Sequence, residues 1–286
     1  VDRPETPQSQ TPAGQALKLR IISGVVMAGL AFAVVYLGGP AFTLLVAAVA
    51  ALMLLEWNAI CNGGRGNVPL FWLQTALVWT SLAVMVLKDG RTGLELIVVG
   101  LPLTVVLSFI MGGRKISLAL LLAPVGLLYA ALPALAIVWL RHLLSSGFEV
   151  TLWVFAIVWA TDIGGYAAGR SIGGPKLAPK ISPKKTWAGL GGGMVLAAAV
   201  SVLLGHLFHF AMPASKLAMA AAVLAVWGQV GDLAESALKR HYGVKDSGAI
   251  IPGHGGILDR LDGFAFVAPV VGFFLWRMGS AVLVGG

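Results

Sequence analysis

One cysteine, Cys61, stands in 286 residues. No internal disulfide is available, and the thiol content gives no sign of an oxidising compartment. Charge is also scarce. Asp, Glu, Lys and Arg make up 11% of the chain, where a soluble domain carries about a quarter. That excludes an ordinary soluble fold. The five histidines, at 142, 206, 209, 241 and 254, share no ligand spacing, which argues against a histidine-bound zinc. No convincing internal repeat is present, so the paired halves common in transporters are missing.

Apolar residues fill the space that charge leaves. They make up 58% of the chain, with a mean hydropathy of +0.89. Apolar runs fall at 21–38, 41–57, 69–87, 94–111, 118–140, 151–169, 188–211, 217–236 and 263–284. Each is near the roughly 20 residues that a spanning helix needs. The sequence therefore predicts an all-α, polytopic bundle of about nine transmembrane helices in a lipid bilayer. Residues 1–20 read as an N-terminal tail, disordered because its Pro, Gln and Thr carry no apolar period. Residues 21–150 are expected to form the N-terminal spans, and residues 151–286 the spans that carry the functional site.

Basic residues fix the expected orientation. Alternate connections place only Lys88, Arg91, Arg141 and Lys216 on one side, with Arg277 inside the last run. All other Lys and Arg fall on the opposite side, including the whole of 170–187 and 237–262. The positive-inside bias puts that richer side, with the N-terminus, in the cytoplasm. The Gly, Ala, Val and Leu richness is compatible with a bacterial inner membrane.

Three polar constellations interrupt the apolar pattern. The first is TDIGGYAAGRSIGGPKLAPKISPKKTWAG at 161–189. Gly165 and Gly169 make a small-residue face for close helix contact. Lys180, Ser182, Lys184, Lys185 and Thr186 follow in a segment stiffened by Pro175, Pro179 and Pro183. Such a segment suits a polyphosphate, and an anchor for anionic lipid heads is the plainer alternative. The second is VGDLAESALKR at 230–240, where Asp232, Glu235, Ser236 and Lys239 share a helical face. The third is PGHGGILDRLDG at 252–263, where Asp259 and Asp262 share another. Glycines before that helix suggest amides able to hold an anion. His254 within that turn has a structural reading as well as a chemical one. The carboxylates of Asp232, Asp246, Asp259 and Asp262, with Lys239, Arg240, Lys245 and Arg260 among them, suit Mg²⁺ and phosphate better than zinc.

These residues resemble the phosphatidate cytidylyltransferase (CDP-diacylglycerol synthase) family. Its pattern S-x-x-K-R-x4-K-D, a spacer, then H-G-G-x-x-D-R-x-D is matched by Ser236, Lys239, Arg240, Lys245, Asp246, His254, Gly255, Gly256, Asp259, Arg260 and Asp262. The 161–189 stretch is similar to a second motif of the family, with Ala188 standing where many members carry Glu. The resemblance implies transfer of the cytidylyl group of CTP to phosphatidate, with pyrophosphate leaving. It implies Asp232, Asp259, Lys239 and Arg260 as catalytic residues. Asp232, Asp259, Asp246 and Asp262 would hold one or two divalent ions, Mg²⁺ by choice, and a monovalent ion is compatible with the site. Lys180, Ser182, Lys184, Lys185, Thr186, Arg240, Lys245 and His254 would bind substrate. Exposed helix faces in the N-terminal half are compatible with a homodimer, and no nucleic-acid partner is expected.

Other readings compete. A transporter would carry its ionisable residues near the bilayer midplane, and here most lie to one side. A phosphatidyltransferase would carry DG-x2-AR…G-x3-D-x3-D, which is not found. A CTP-dependent lipid kinase shares substrates but releases CDP rather than pyrophosphate. A membrane scaffold leaves the clustered aspartates unexplained.

Overall fold

A computed structural model describes residues 29, 31–64, 66–112, 117–143, 146–251, 255–279 and 281–284. The tail at 1–20, most of the first run at 21–38, and His254 lie outside the described residues. Residues 31–37 are helical and end at Gly38, whose φ of 61° turns the chain. Arg141 donates to the carbonyls of Val35 at 2.7 Å and Tyr36 at 3.0 Å, satisfying acceptors at that helix end.

Eight long helices follow: α1 (Gly39–Cys61), α2 (Val68–Leu87), α3 (Gly90–Met111), α4 (Leu118–Leu143), α5 (Gly147–Ser171), α6 (Trp187–Leu207), α7 (Ala214–His241) and α8 (Leu258–Met278). Eight of the described helices are long and apolar enough to cross a membrane. They correspond to the second through ninth apolar runs. A four-residue turn, α9 (Ala281–Val284), ends the described chain. Expected as part of the last span, it is split off by Gly279, whose φ is 81°.

The helices start where donors are satisfied. Asn67 caps α2 and Asp89 caps α3 through their side-chain oxygens. Asp89 is half-buried, and the Thr92 N–H holds its carboxyl below the ordinary value. In the bundle, α4 packs against α1, α2, α3, α5 and α8. Its buried face includes Leu127, Ala130, Ala131, Val138 and Leu140. Lipid-facing positions such as Val99, Val106, Val195, Leu203 and Phe273 stay exposed, as expected where hydrocarbon is the solvent.

Buried polar groups find partners across helices. Asn58 Nδ2 donates to Gln74 Oε1 at 2.7 Å, and Gln74 Nε2 donates to the Ala123 carbonyl at 2.7 Å. This ties α1, α2 and α4 together. Trp153 Nε1 donates to Ser201 Oγ at 2.9 Å, and Ser201 donates to the Leu217 carbonyl at 3.1 Å, linking α5, α6 and α7.

The small-residue face on α5 behaves as expected. A Cβ on Gly165 would lie 3.5 Å from the Gly189 carbonyl, and one on Gly169 would lie 3.2 Å from Thr186 Oγ1. The α5 and α6 backbones therefore approach closely.

Two features differ from the sequence reading. The 170–187 segment is an antiparallel hairpin, not an open loop, with β1 (Lys176–Ala178) pairing β2 (Ser182–Thr186). Prolines and lysines hide the alternation that would have announced it. The polar stretch 237–262 is also largely helical at its ends. The α7 helix runs on to His241, with Lys239, Arg240 and His241 in its last turn facing the negative end of the helix dipole. The α8 helix begins at Leu258, so Asp259 and Asp262 lie in its first turns.

Candidate active site

Five pieces meet at one end of the bundle: the C-terminal part of α1, the inner part of α5, β2, the last three turns of α7 and the first turns of α8. Close contact between α7 and α8 depends on Gly231. A Cβ there would lie 2.6 Å from the Asp262 carbonyl oxygen. This brings the second and third polar constellations face to face.

Two ion-paired groups result. Lys185 Nζ rests on Asp232 Oδ2, with side chains 18% and 24% exposed. Strand alternation sends Lys185 toward α7 and leaves Lys184 exposed. The second group lies deeper. Lys239 Nζ is 2.7 Å from Glu235 Oε2 and 2.5 Å from Asp259 Oδ1. The Glu235 side chain is fully enclosed, and those of Lys239 and Asp259 are 10% and 11% exposed. The first pair is the less enclosed of the two, though the Lys185 ammonium itself is covered.

Asp259 is surrounded by donors. Its Oδ2 accepts from the Ser247 amide at 2.9 Å, the Ser247 hydroxyl at 3.0 Å and the Gly256 amide at 2.9 Å. Gly255 makes this possible. Its φ is 87°, and a Cβ there would lie 3.0 Å from Asp259 Oδ2. The Ile251 amide donates to the Gly255 carbonyl at 3.0 Å and closes the turn.

Asp262 and Asp162 complete the cluster. Asp262 accepts its neighbour Gly263 N–H at 2.8 Å and lies in the field of Asp232, Glu235 and Asp162. Asp162, on α5, feels Asp232, Lys185 and Arg260. Tyr129 of α4 lies in the field of Asp262, Glu235, Asp232 and Asp259. Its buried hydroxyl has no hydrogen-bond partner among the described residues.

Other expected residues stand at or outside the rim. Lys180, Lys184, Arg240, Lys245, Asp246 and Arg260 are exposed, and Ser182 is half-buried. Arg240 Nη1 donates to the Val244 carbonyl at 3.1 Å. Thr186 is buried, and its hydroxyl oxygen accepts the Gly189 amide at 3.0 Å as the cap of α6.

One residue was missed by sequence reasoning. Glu56 of α1 is 3% exposed. Its carboxylate accepts the Ser247 hydroxyl at 2.8 Å and the Ile257 and Leu258 amides at 3.0 and 2.9 Å. The start of α8 does hold an anion, as its glycines suggested, but the anion belongs to the protein. Below it, Tyr242 follows the end of α7. Burial first, and then the neighbouring Cys61 thiol of α1, push its phenol above the ordinary value.

The donor set can be tested against a divalent ion. Asp259 fits poorly as it stands, because protein donors occupy both its oxygens. Asp262 offers a hard oxygen beside the one that accepts the Gly263 N–H, and Asp232, which carries Lys185 on one oxygen and the Ser236 hydroxyl at 3.4 Å on the other, offers one once Lys185 swings away. Among the described residues no three His, Cys, Asp or Glu side chains converge on one ion position. Mg²⁺ ordinarily takes one or two carboxylates, with water and substrate phosphates filling the rest, and that lesser requirement fits Asp232 and Asp262.

A cavity of ≈ 940 Å³ lies elsewhere. It lies between α3, α4 and α8 and is lined by Leu94, Leu135, Trp139, Phe273 and Trp276. No charged group of the cluster lines it, so this void and the charged cluster do not coincide.

Comparison with known proteins is consistent across most of the chain. Residues 18–278 match the cytidylyltransferase family. The phosphatidate cytidylyltransferase of Brucella suis is 35% identical over 259 residues, covering 90% of this chain and 93% of that protein. The Bacillus subtilis protein of the same name is 34% identical over 269 residues, covering 91% and 97%. That of Staphylococcus haemolyticus is 46% identical over 134 residues, covering 47% and 52%.

Proposed function

This chain belongs to the cytidylyltransferase family, and we propose that its charged cluster joins CTP to phosphatidate, giving CDP-diacylglycerol and pyrophosphate. One observation carries the reading. Lys185, from one polar motif, rests on Asp232 of another, so the two motifs build a single site. The site lies at the end of the bundle where Lys and Arg are concentrated. The positive-inside bias supports a cytoplasmic face, and the composition supports a bacterial inner membrane. CTP then reaches the site from solution, and phosphatidate arrives from the bilayer.

The bond changes are simple. A phosphatidate phosphate oxygen bonds to the α-phosphorus of CTP. The bond from that phosphorus to the bridging oxygen breaks, and its electron pair leaves on pyrophosphate. The attacking phosphate is already ionised near neutral pH, so no general base is required. The task is to hold two polyanions together and steady the charge that moves onto the leaving group.

The residues divide that task. Lys185 is the less enclosed of the two paired lysines, and transfer from Asp232 to a CTP phosphate needs a side-chain swing. Lys180 and Lys184 on the exposed hairpin extend the same positive surface. Lys239 is held in one place by Glu235 and Asp259, so its ammonium meets a phosphate oxygen without first having to be ordered. Arg240, Lys245 and Arg260 at the rim suit the phosphatidate head or the departing pyrophosphate. Asp232 and Asp262 would hold Mg²⁺, which neutralises the polyphosphate when bound.

The test uses purified protein in detergent with Mg²⁺, labelled CTP and dioleoyl phosphatidate. Equal yields of CDP-diacylglycerol and pyrophosphate, abolished by EDTA, are expected. Release of CDP with a phosphorylated lipid would replace the reading with a CTP-dependent kinase.

A further inference from the structure

Glu56 lies outside all three polar constellations, inside an apolar stretch of α1, yet three donors converge on it. The Ser247 hydroxyl has one hydrogen and faces two carboxylates, Glu56 Oε2 at 2.8 Å and Asp259 Oδ2 at 3.0 Å. Glu56 also holds the Ile257 and Leu258 amides, which follow directly on the Gly256 amide that Asp259 accepts. A carboxylate at a helix start is favoured by the local dipole, and here it pins the first turn of α8. With that turn fixed, Asp259 Oδ2 is committed to Ser247 and Gly256. Its Oδ1 is then left to hold Lys239. The chain of contacts runs from α1 to the turn, from the turn to Asp259, and from Asp259 to the ammonium.

We infer that Glu56 is a positioning residue for the transfer, setting the place of Lys239 through Asp259. The inference rests on the function proposed above. Its removal shifts the ammonium relative to the reacting phosphates without removing any group that binds CTP.

The experiment compares Glu56→Gln with the wild-type chain in the same micelles. Glutamine keeps the shape but turns an N–H₂ toward N–H and O–H donors. The value of kcat is expected to fall roughly tenfold to a hundredfold, the scale of a misplaced catalytic group, while KM for CTP moves less than about twofold. Ser247→Ala should give a smaller fall in the same direction. Gln74→Leu is the structural control, since Gln74 bonds only to Asn58 and the Ala123 carbonyl in the described contacts. It should lower thermal stability and leave kcat per folded molecule unchanged.

A Glu56→Gln protein whose kcat is normal, or falls only with its folded fraction, overturns the inference. A rise in KM with kcat intact does so too. Hydrogen exchange at the amides of 256–258 gives a readout independent of turnover. Protection there should fall by about tenfold or more in Glu56→Gln. Unchanged protection overturns the inference even if the wild-type chain makes no CDP-diacylglycerol, an outcome that would by itself remove only the proposed function.

Discussion

Replacing Lys239 with methionine tests how the deep ion cluster is held together. Methionine has a similar length and no charge. Asp259 keeps the Ser247 amide, the Ser247 hydroxyl and the Gly256 amide. Glu235 keeps nothing comparable: among the described residues its carboxylate has no partner besides Lys239. Removing one member of a buried pair typically costs about 3–5 kcal/mol, because the remaining charge is stranded. Here the cost should fall mainly on Glu235. Lys239→Met is therefore expected to destabilise the fold by an amount in that range. Adding Glu235→Gln should then recover more than half of the loss. Unfolding in detergent micelles, followed for the wild type, both single variants and the double, gives the coupling directly. Turnover should stay lost in the double variant, since the fixed ammonium is still missing. A single variant within about 1 kcal/mol of wild type would refute the account of the buried charge. A double variant no more stable than Lys239→Met would refute the assignment of its cost to Glu235. Recovery of turnover in the double would remove Lys239 from the mechanism.

Two further substitutions probe the Lys185 pair and the turn. Lys185→Ala should raise KM for CTP about tenfold and lower stability by about 1–3 kcal/mol, because the covered ammonium leaves Asp232 without its cation; unchanged KM would place the nucleotide elsewhere. Gly255→Ala forces a side chain into φ 87° and against Asp259 Oδ2, so it should cost about 1–3 kcal/mol and most of the activity. A stable, active Gly255→Ala protein would show that the turn is not held as described.

Much of the site was legible because a membrane helix punishes casual polarity. Asp232, Glu235 and Lys239 stood out at helical spacing, as did Asp259 and Asp262, and the structure places each set on one helix facing the other. The close contact of α5 with α6 was readable in Gly165 and Gly169. The hairpin was not, because its strands carry Pro and Lys where a strand pattern would show alternating apolar residues. Nor was the set of groups around Asp259. Half of its donors are backbone amides, and an amide has no letter in a sequence. The carboxylate could be seen, and its partners could not. That is why the sequence shows Asp259 as a carboxylate and only the structure shows the donors gathered on it.

Glu56 was missed for a different reason. A charge inside a span is costly and is ordinarily a sign of function, and LMLLEWNAI shows one plainly. Its donors, Ser247, Ile257 and Leu258, belong to a distant part of the chain, so no local spacing connects them. The sequence divides naturally near residue 150 into plain spans and spans with polar motifs. The contacts cross that division. Glu56 of α1 holds the turn before α8, Cys61 of α1 lies against Tyr242, and Tyr129 of α4 sits in the field of four carboxylates. A C-terminal half expressed alone would leave the start of α8 without its carboxylate and Ser247 without its second acceptor. The motifs would be complete as sequence, and the geometry that fixes Asp259 and Lys239 would be gone.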